Sequence, residues 1–471
     1  MVMPDLNIPR PELVVKEYRT LSQIRGPLLF VERVAGVGYN EMVEVHLPGG
    51  DVVLGQVLEV DRQRCLIRLY GSSSGLSLQH TKLRFTGDIM RLDVSLSMLG
   101  RVFDGVGQPM DGGPPITPEA SLDINGAPIN PFVRRRPHHF IQTGISAIDG
   151  LNSLARGQKL PIFSAAGLPA GELAAQITAQ ARVRGSDSDD HFAVVLAAIG
   201  VTQREASFFL DQFRASEAMD RTLLFINRAD DPSIERILTP RVALTAAEHL
   251  AFTHQRQVLV ILTDLTNYCE ALREVSAASE EAPGRRGYPG YMYSDLASVY
   301  ERAGRIRDNA GSITQLIILT MPDDDITHPI PDLTGYITEG QIVLSRDMHR
   351  KGIYPPIDVL PSLSRLMDAA IGEGQTRREH RAVADQMYAL YAQARDLRRL
   401  VAIIGEAALS PDDRQVLAFL TEFEQTFVGQ GKVERSIDET LDLAWKLLGQ
   451  VPVGLLKRVP QQLIEKYIGG A

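Results

Sequence analysis

The chain has 471 residues, about three times the usual length of one domain, with 44% hydrophobic and 23% charged, which excludes a single compact core and a mainly disordered chain. Lys and Arg number 49 against 58 Asp and Glu, a net charge of −9 at pH 7, so the surface as a whole is a poor match for a phosphate backbone and general nucleic-acid binding is disfavoured. Two widely separated cysteines, Cys65 and Cys269, make no metal-type spacing and fit a reducing, cytoplasmic setting.

The opening, MVMPDLNIPRPELV, lacks a basic stretch followed by an apolar core and does not read as a secretory signal. From about Tyr18 to Leu83 the pattern alternates as half-buried strands do, with Val43, Val45 and Leu47 pointing one way and Glu44 and His46 the other. The turn Pro48-Gly49-Gly50-Asp51 then feeds a second apolar run, Val52 to Val60. Regular turns between short strands predict a small β-barrel over residues 1–79. A Gly- and Pro-rich stretch, 101–149, sustains neither period and reads as a connector wrapped between domains. Within it, Arg134-Arg135-Arg136 with His138 and His139 reads as a solvated connector or an interface patch, since three charges in an acidic chain make no nucleic-acid site.

The middle of the chain changes character. Apolar runs at Phe192–Ile199, Leu223–Ile226, Val258–Leu262 and Leu316–Thr320 alternate with helical patterns, the signature of a buried parallel sheet in an α/β layer fold over 80–365. The most apolar of them, FAVVLAAIGV, is about half the length a membrane span needs, so any membrane role is peripheral. After about Arg365 the strands stop. Tyr388, Tyr391, Leu397, Leu400, Ile403 and Ile404 follow helical spacing. Ser410-Pro411-Asp412-Asp413 has the order of a helix start, Ser436 and Glu439 form a capping box, and Gly449 with Pro452 supplies a stop. A helical bundle over 366–471 follows, with the single Trp445 in its core.

The stretch GQKLPIFSAAGLPAGELAAQI from Gly157 is laid out as strand, small-residue loop and helix, where a nucleotide-binding domain places G-x-x-x-x-G-K-[ST]. On that template Ile162 takes the first glycine and Gly167 the second, while the lysine falls on Leu168 and the hydroxyl on Pro169. Leucine brings no charge to a phosphate, and proline brings neither a metal-binding hydroxyl nor a backbone donor. Glu172 adds negative charge where phosphate would sit. Taken alone, this is also the pattern of an ordinary strand-to-helix turn. Downstream, Asp264 ends the apolar strand Val258–Thr263 where a magnesium-steadying carboxylate belongs, and Gly200-Val201-Thr202 occupies the place of a water-orienting acid, with Glu205 the nearest one. The site reads as built but not equipped, with no metal ligand of its own.

Several ungapped blocks carry a specific resemblance: GISAIDGLNSLARGQKLPIF, the degenerate loop SAAGLPAGELAAQI, LTDLTNYCEALREVSAA, PGRRGYPGYMYSDLASVYERAGR, TEGQIVLSRD and PPIDVLPSLSRLM. Together they are similar to the B subunit, the non-catalytic and regulatory one, of prokaryotic V/A-type rotary ATPases and ATP synthases. The resemblance implies the same barrel, α/β domain and bundle, in a ring of three A and three B subunits. It implies ATP and ADP at the interface with the catalytic A subunit and Mg²⁺ only through that partner. It places an arginine finger at Arg365, in PSLSR, reaching the A-subunit site in trans, with Gly167, Leu168 and Pro169 as the degenerate phosphate loop. A bare arginine after a Ser-rich turn is otherwise most often a surface or packing ion pair. The remaining implied partners are the central rotor shaft and the peripheral stalk, at the cytoplasmic face of the cell membrane, with no nucleic acid. For PGRRGYPGYMY two readings stand, a solvated loop or a loop lining the ring interior with Arg285 and Arg286 facing the rotor.

Two other functions share this architecture. A self-sufficient ring ATPase of the type III export or flagellar kind needs the phosphate-binding lysine that Leu168 replaces. A nucleotide-sensing scaffold would lend no catalytic group, and so would not depend on Arg365.

Overall fold

A computed structural model describes residues 16–25, 28–61, 64–69, 73–184, 191–215, 218–278, 282–405 and 409–469. The opening stretch read for a secretory signal lies outside the described residues. Seven antiparallel strands form the first domain, in the order Lys16–Tyr18, Lys82–Ile89, Glu41–His46, Val52–Val60, Arg64–Leu69, Leu28–Glu32, Leu21–Arg25. The sheet curls round one core in which Val43, Val45, Val57 and Ile67 are fully buried, while Glu44 and His46 on the other face are half-buried. Strand Lys82–Ile89 pairs with Glu41–His46, so this sheet runs past residue 79.

The connector is stitched into its neighbours rather than merely wrapped. Val102–Asp104 adds a parallel strand to the edge of the central sheet, beside Thr222–Arg228. Ala120–Asp123 pairs with Arg91–Val94, and Arg134–Arg135 with Gly304–Ile306. Strands of two to four residues are too short to display a period, which is why the sequence pattern misses them.

The central sheet runs Ile357–Ser364, Gly340–Leu344, Lys159–Ala165, Ser312–Met321, Gln257–Thr263, Phe192–Val201, Thr222–Arg228, Val102–Asp104. All neighbours are parallel except the first pair. Alternate residues of Phe192–Val201 enter opposite cores, with Val194, Leu196 and Ala198 on one face and Ala193, Val195, Ala197 and Ile199 on the other. Burial on both faces explains why these strands read as continuous apolar runs.

Helices His380–Ile404, Pro411–Glu422, Ile437–Leu448 and Gln461–Tyr467 build the C-terminal bundle. The anticipated capping box of Ser436 with Glu439 is present, and the helix start at Ser410 is a capping box too, with Asp413. Phe423 stacks on Phe419 and Phe427 at centroid distances of 5.7 and 5.2 Å, and buried Trp445 stacks on Tyr467 at 4.6 Å. Gln430 clamps the bundle to the central domain: its Nε2 donates to the Gly144 and Val433 carbonyls, and its Oε1 accepts from the Ser146 amide, each at 2.7 Å. Among the described residues no helix is long and apolar enough to cross a membrane.

Candidate functional site

Strand Lys159–Ala165 ends in the loop, and helix Ala170–Gln180 begins directly after Pro169. Gly167 sits at φ +80°, a conformation that favours glycine and turns the chain back. The Leu168 amide donates to the Ala165 carbonyl at 3.0 Å and the Ala170 amide to the Leu168 carbonyl at 2.8 Å. Two of the amides a phosphate would call on are therefore spent inside the turn, and Pro169 has none to offer. The Leu168 side chain is buried in the apolar core. Glu172, in the first turn of that helix, is met from the bundle side by Lys432, whose Nζ lies 3.4 Å away.

The other two candidate carboxylates serve structural ends. Asp264 is half-buried, and the loss of solvent around its carboxylate pushes its pKa up. Its Oδ1 accepts from the Thr266 amide at 2.8 Å and the Thr320 amide at 3.1 Å, while Oδ2 accepts from the Thr320 hydroxyl. Glu205 accepts from the amide and hydroxyl of Thr202, both at 2.8 Å, and so caps helix Gln203–Ala215. Thr202-x-x-Glu205 is a capping-box pattern, the signal that identifies this role from sequence.

Arg365 stands at the opposite end of the sheet. It follows strand Ile357–Ser364, whose Ser364 pairs with Gly340, the first residue of the strand parallel to Lys159–Ala165. Arg365 is thus level with the start of the loop strand, and the seven residues of Lys159–Ala165 put about 20 Å of sheet between it and the loop. Gly167, Leu168 and Pro169 come together; Arg365 does not join them.

The mount of Arg365 is rigid while its side chain is free. Its amide donates to the Glu339 carbonyl at 3.0 Å, and Ser364 Oγ donates to the Ser153 carbonyl at 2.9 Å and accepts from Gln158 Nε2 at 3.0 Å. A Cβ on Gly340 (φ +137°) would lie 2.1 Å from the Leu363 carbonyl oxygen, so only glycine permits this approach of the two strands. Glu339 is the acid closest along the backbone contact, yet it is taken: Oε2 accepts from the Lys159 amide at 2.9 Å and Oε1 lies 3.1 Å from Lys159 Nζ. Among the described residues the exposed Arg365 guanidinium has no hydrogen bond or ion pair. The role of Lys159 and Glu339 was hidden in the sequence, where 180 residues separate them.

Of the other singled-out arginines, Arg134, Arg285 and Arg286 are paired, while Arg135 and Arg136 are exposed. Arg285 meets Asp332 at 2.9 Å and Arg286 meets Asp325 at 3.0 Å, leaving both half-neutralised in an exposed loop. Arg134 binds the Glu301 carboxylate at 2.9 Å and the Ala303 carbonyl at 3.0 Å, a packing role. Arg135 lines a cavity with Arg156, Arg305 and His139. Burial first, then the neighbouring cations, lowers the pKa of His139 to about 4.

Comparison with known proteins gives consistent matches along the chain. Residues 21–87 match the β-barrel domain of the ATP synthase alpha/beta family, 144–364 its nucleotide-binding domain, and 369–468 the C-terminal domain of V and A type ATP synthase. Among solved structures, the ATP synthase subunit NeqB from Nanoarcheaum equitans is 39% identical, with a TM-score of 0.72 over 88% of this chain and 99% of that one.

Proposed function

The chain belongs to the ATP synthase alpha/beta family with a V/A-type C-terminal domain, and from that premise we propose that it is the non-catalytic B subunit of a V/A-type rotary ATPase or ATP synthase. In this reading it alternates with the catalytic A subunit in a hexameric ring and lends Arg365 to ATP or ADP held at the A/B interface, with Mg²⁺ bound through the partner. Contacts to the rotor shaft and peripheral stalk, at the cytoplasmic face of the cell membrane, complete the assembly and couple the nucleotide to ion translocation.

The observation that carries the proposal is a pair of opposites in one sheet. The loop that would hold a phosphate lacks the lysine and hydroxyl and spends two of its amides inside the turn. The guanidinium at the far end is exposed and without an internal partner among the described residues. A guanidinium is permanently charged, planar and five-donor, suited to the oxygen charge that develops on a transferring γ-phosphoryl group. About 20 Å separates it from the chain's own loop, which supports a phosphate held by another subunit.

The test is co-assembly with the catalytic subunit. Arg365→Ala is expected to lower ATP turnover about 10³-fold or more with ring assembly unchanged by native mass spectrometry. Arg365→Lys is expected to recover only a small part, since an ammonium is a point charge without the fork. Unchanged turnover in both variants would favour the scaffold reading. Magnesium-dependent hydrolysis by the purified chain alone would restore the self-sufficient ATPase.

A further inference from the structure

A second constellation lies outside the nucleotide machinery, between the connector and the long helix Ser233–Glu248. Glu119 directly precedes strand Ala120–Asp123, and His249 and His254 bound the π-helical turn His249–Thr253 that ends the helix. His249 Nε2 lies 3.0 Å and His254 Nε2 2.7 Å from the same oxygen, Glu119 Oε2, and the two nitrogens lie 3.2 Å from each other. We propose that these three side chains form a binding site for a divalent transition-metal ion of the zinc class.

With the Glu119 carboxylate ionised, every placement of protons leaves one edge of this triangle repulsive. If both imidazoles donate to the carboxylate, the 3.2 Å contact sets one N–H against another. If one nitrogen is bare, it can accept from the other ring's N–H but faces the carboxylate oxygen with lone pair against lone pair. A single cation among the three atoms satisfies every contact at once. The 3.0 and 3.2 Å edges also fit: ligands about 2.1 Å from a metal lie about 3.0 Å apart when mutually cis in an octahedron and about 3.4 Å apart in a tetrahedron, and the 2.7 Å edge opens by about 0.3 Å on binding. Two imidazoles and one carboxylate are a ligand set for zinc, iron, cobalt or nickel, whereas magnesium prefers oxygen donors and water.

The surroundings are those of a built site. Residues five apart diverge around an α-helix, and the wider π turn brings His249 and His254 to one side with their rings edge to face at 4.8 Å. The second carboxylate oxygen of Glu119 is held away from the triangle, accepting from the Leu96 amide at 3.0 Å and the Ser95 hydroxyl at 3.1 Å, which aims Oε2 at the histidines. His249 is buried, His254 is a quarter exposed and Glu119 is 41% exposed, so an ion can enter from solvent and complete its shell with water. Bound there, it would staple the connector to the central domain.

The experiment uses the full chain, stripped of metal with a chelator and titrated with ZnCl₂ by calorimetry, with CoCl₂ as a spectroscopic probe. One equivalent per chain, visible cobalt absorption bands and a raised thermal midpoint are expected, with no response to MgCl₂ at the same concentrations. His254→Gln and Glu119→Gln, both on the solvent side and chosen to leave the fold intact by circular dichroism, are each expected to weaken zinc binding at least about tenfold. Absence of saturable binding to the parent chain, or binding equally tight in both variants, would overturn the site. Neither outcome bears on Arg365, which lies outside the constellation.

Discussion

At the scale of single residues, chemistry in this chain is decided by who is left without a partner. Lys159 occupies Glu339 and thereby leaves Arg365 free; Thr266 and Thr320 occupy Asp264. The first half of this logic was legible in the sequence, because Leu168 and Pro169 are deletions of a charge, a hydroxyl and an N–H that any reader can see. The second half was not, because the partners stand 56 and 180 residues apart. One titrating group gives a residue-level prediction. Burial, with Asp231 and Asp104 nearby, pushes Glu235 up to about 7. The folded chain therefore keeps a proton that the unfolded chain gives up in the ordinary glutamate range, so this group's contribution to stability falls as pH rises from about 4.5 to about 7. Comparing thermal midpoints at pH 5 and pH 8, the parent chain should lose more than Glu235→Gln across that interval; parallel curves would show that Glu235 titrates normally.

At the scale of elements, the strands buried on both faces and the capped helices announced themselves through period and caps, while the short connector strands and the π-helical turns did not. A π turn arises where packing forces an extra residue into a helix, and no local residue pattern marks it. The capping boxes give a measurable increment: Ser436→Ala removes the acceptor for the Glu439 amide and is expected to destabilise the bundle by about 1 kcal/mol in denaturant melts. Phe423→Ala opens the middle of an aromatic stack and is expected to cost about 3–5 kcal/mol. Gly340→Ala tests the mount of Arg365. With a Cβ only 2.1 Å from the Leu363 carbonyl oxygen, the edge strand must shift, and turnover in the assembled complex should drop with Arg365 still in place. Full activity in that variant would mean the arginine tolerates a loose mount.

At the scale of the whole molecule, the bundle and central domain are joined by buried polar contacts rather than by a bare linker. Gln430→Ala removes the acceptor of the Ser146 amide and the donor to the Gly144 carbonyl. The expected result is about 1–3 kcal/mol of lost stability and faster hydrogen exchange at Ser146, with helices remote from the joint unaffected. Exchange at Ser146 as slow as in the parent chain would show that the joint holds without this clamp. The sheet carries a further consequence. With its loop on one rim and the Arg365 guanidinium on the other, the body has a head and a tail, and a ring in which Arg365 of one subunit meets the loop rim of the next uses the heterologous, head-to-tail contact from which rings close. Under the proposed function, a circle made of this polypeptide alone would bring Arg365 at every seam to a loop without the phosphate-binding lysine. Pairing with an unlike subunit that keeps that lysine would follow from where one strand begins and its neighbour ends.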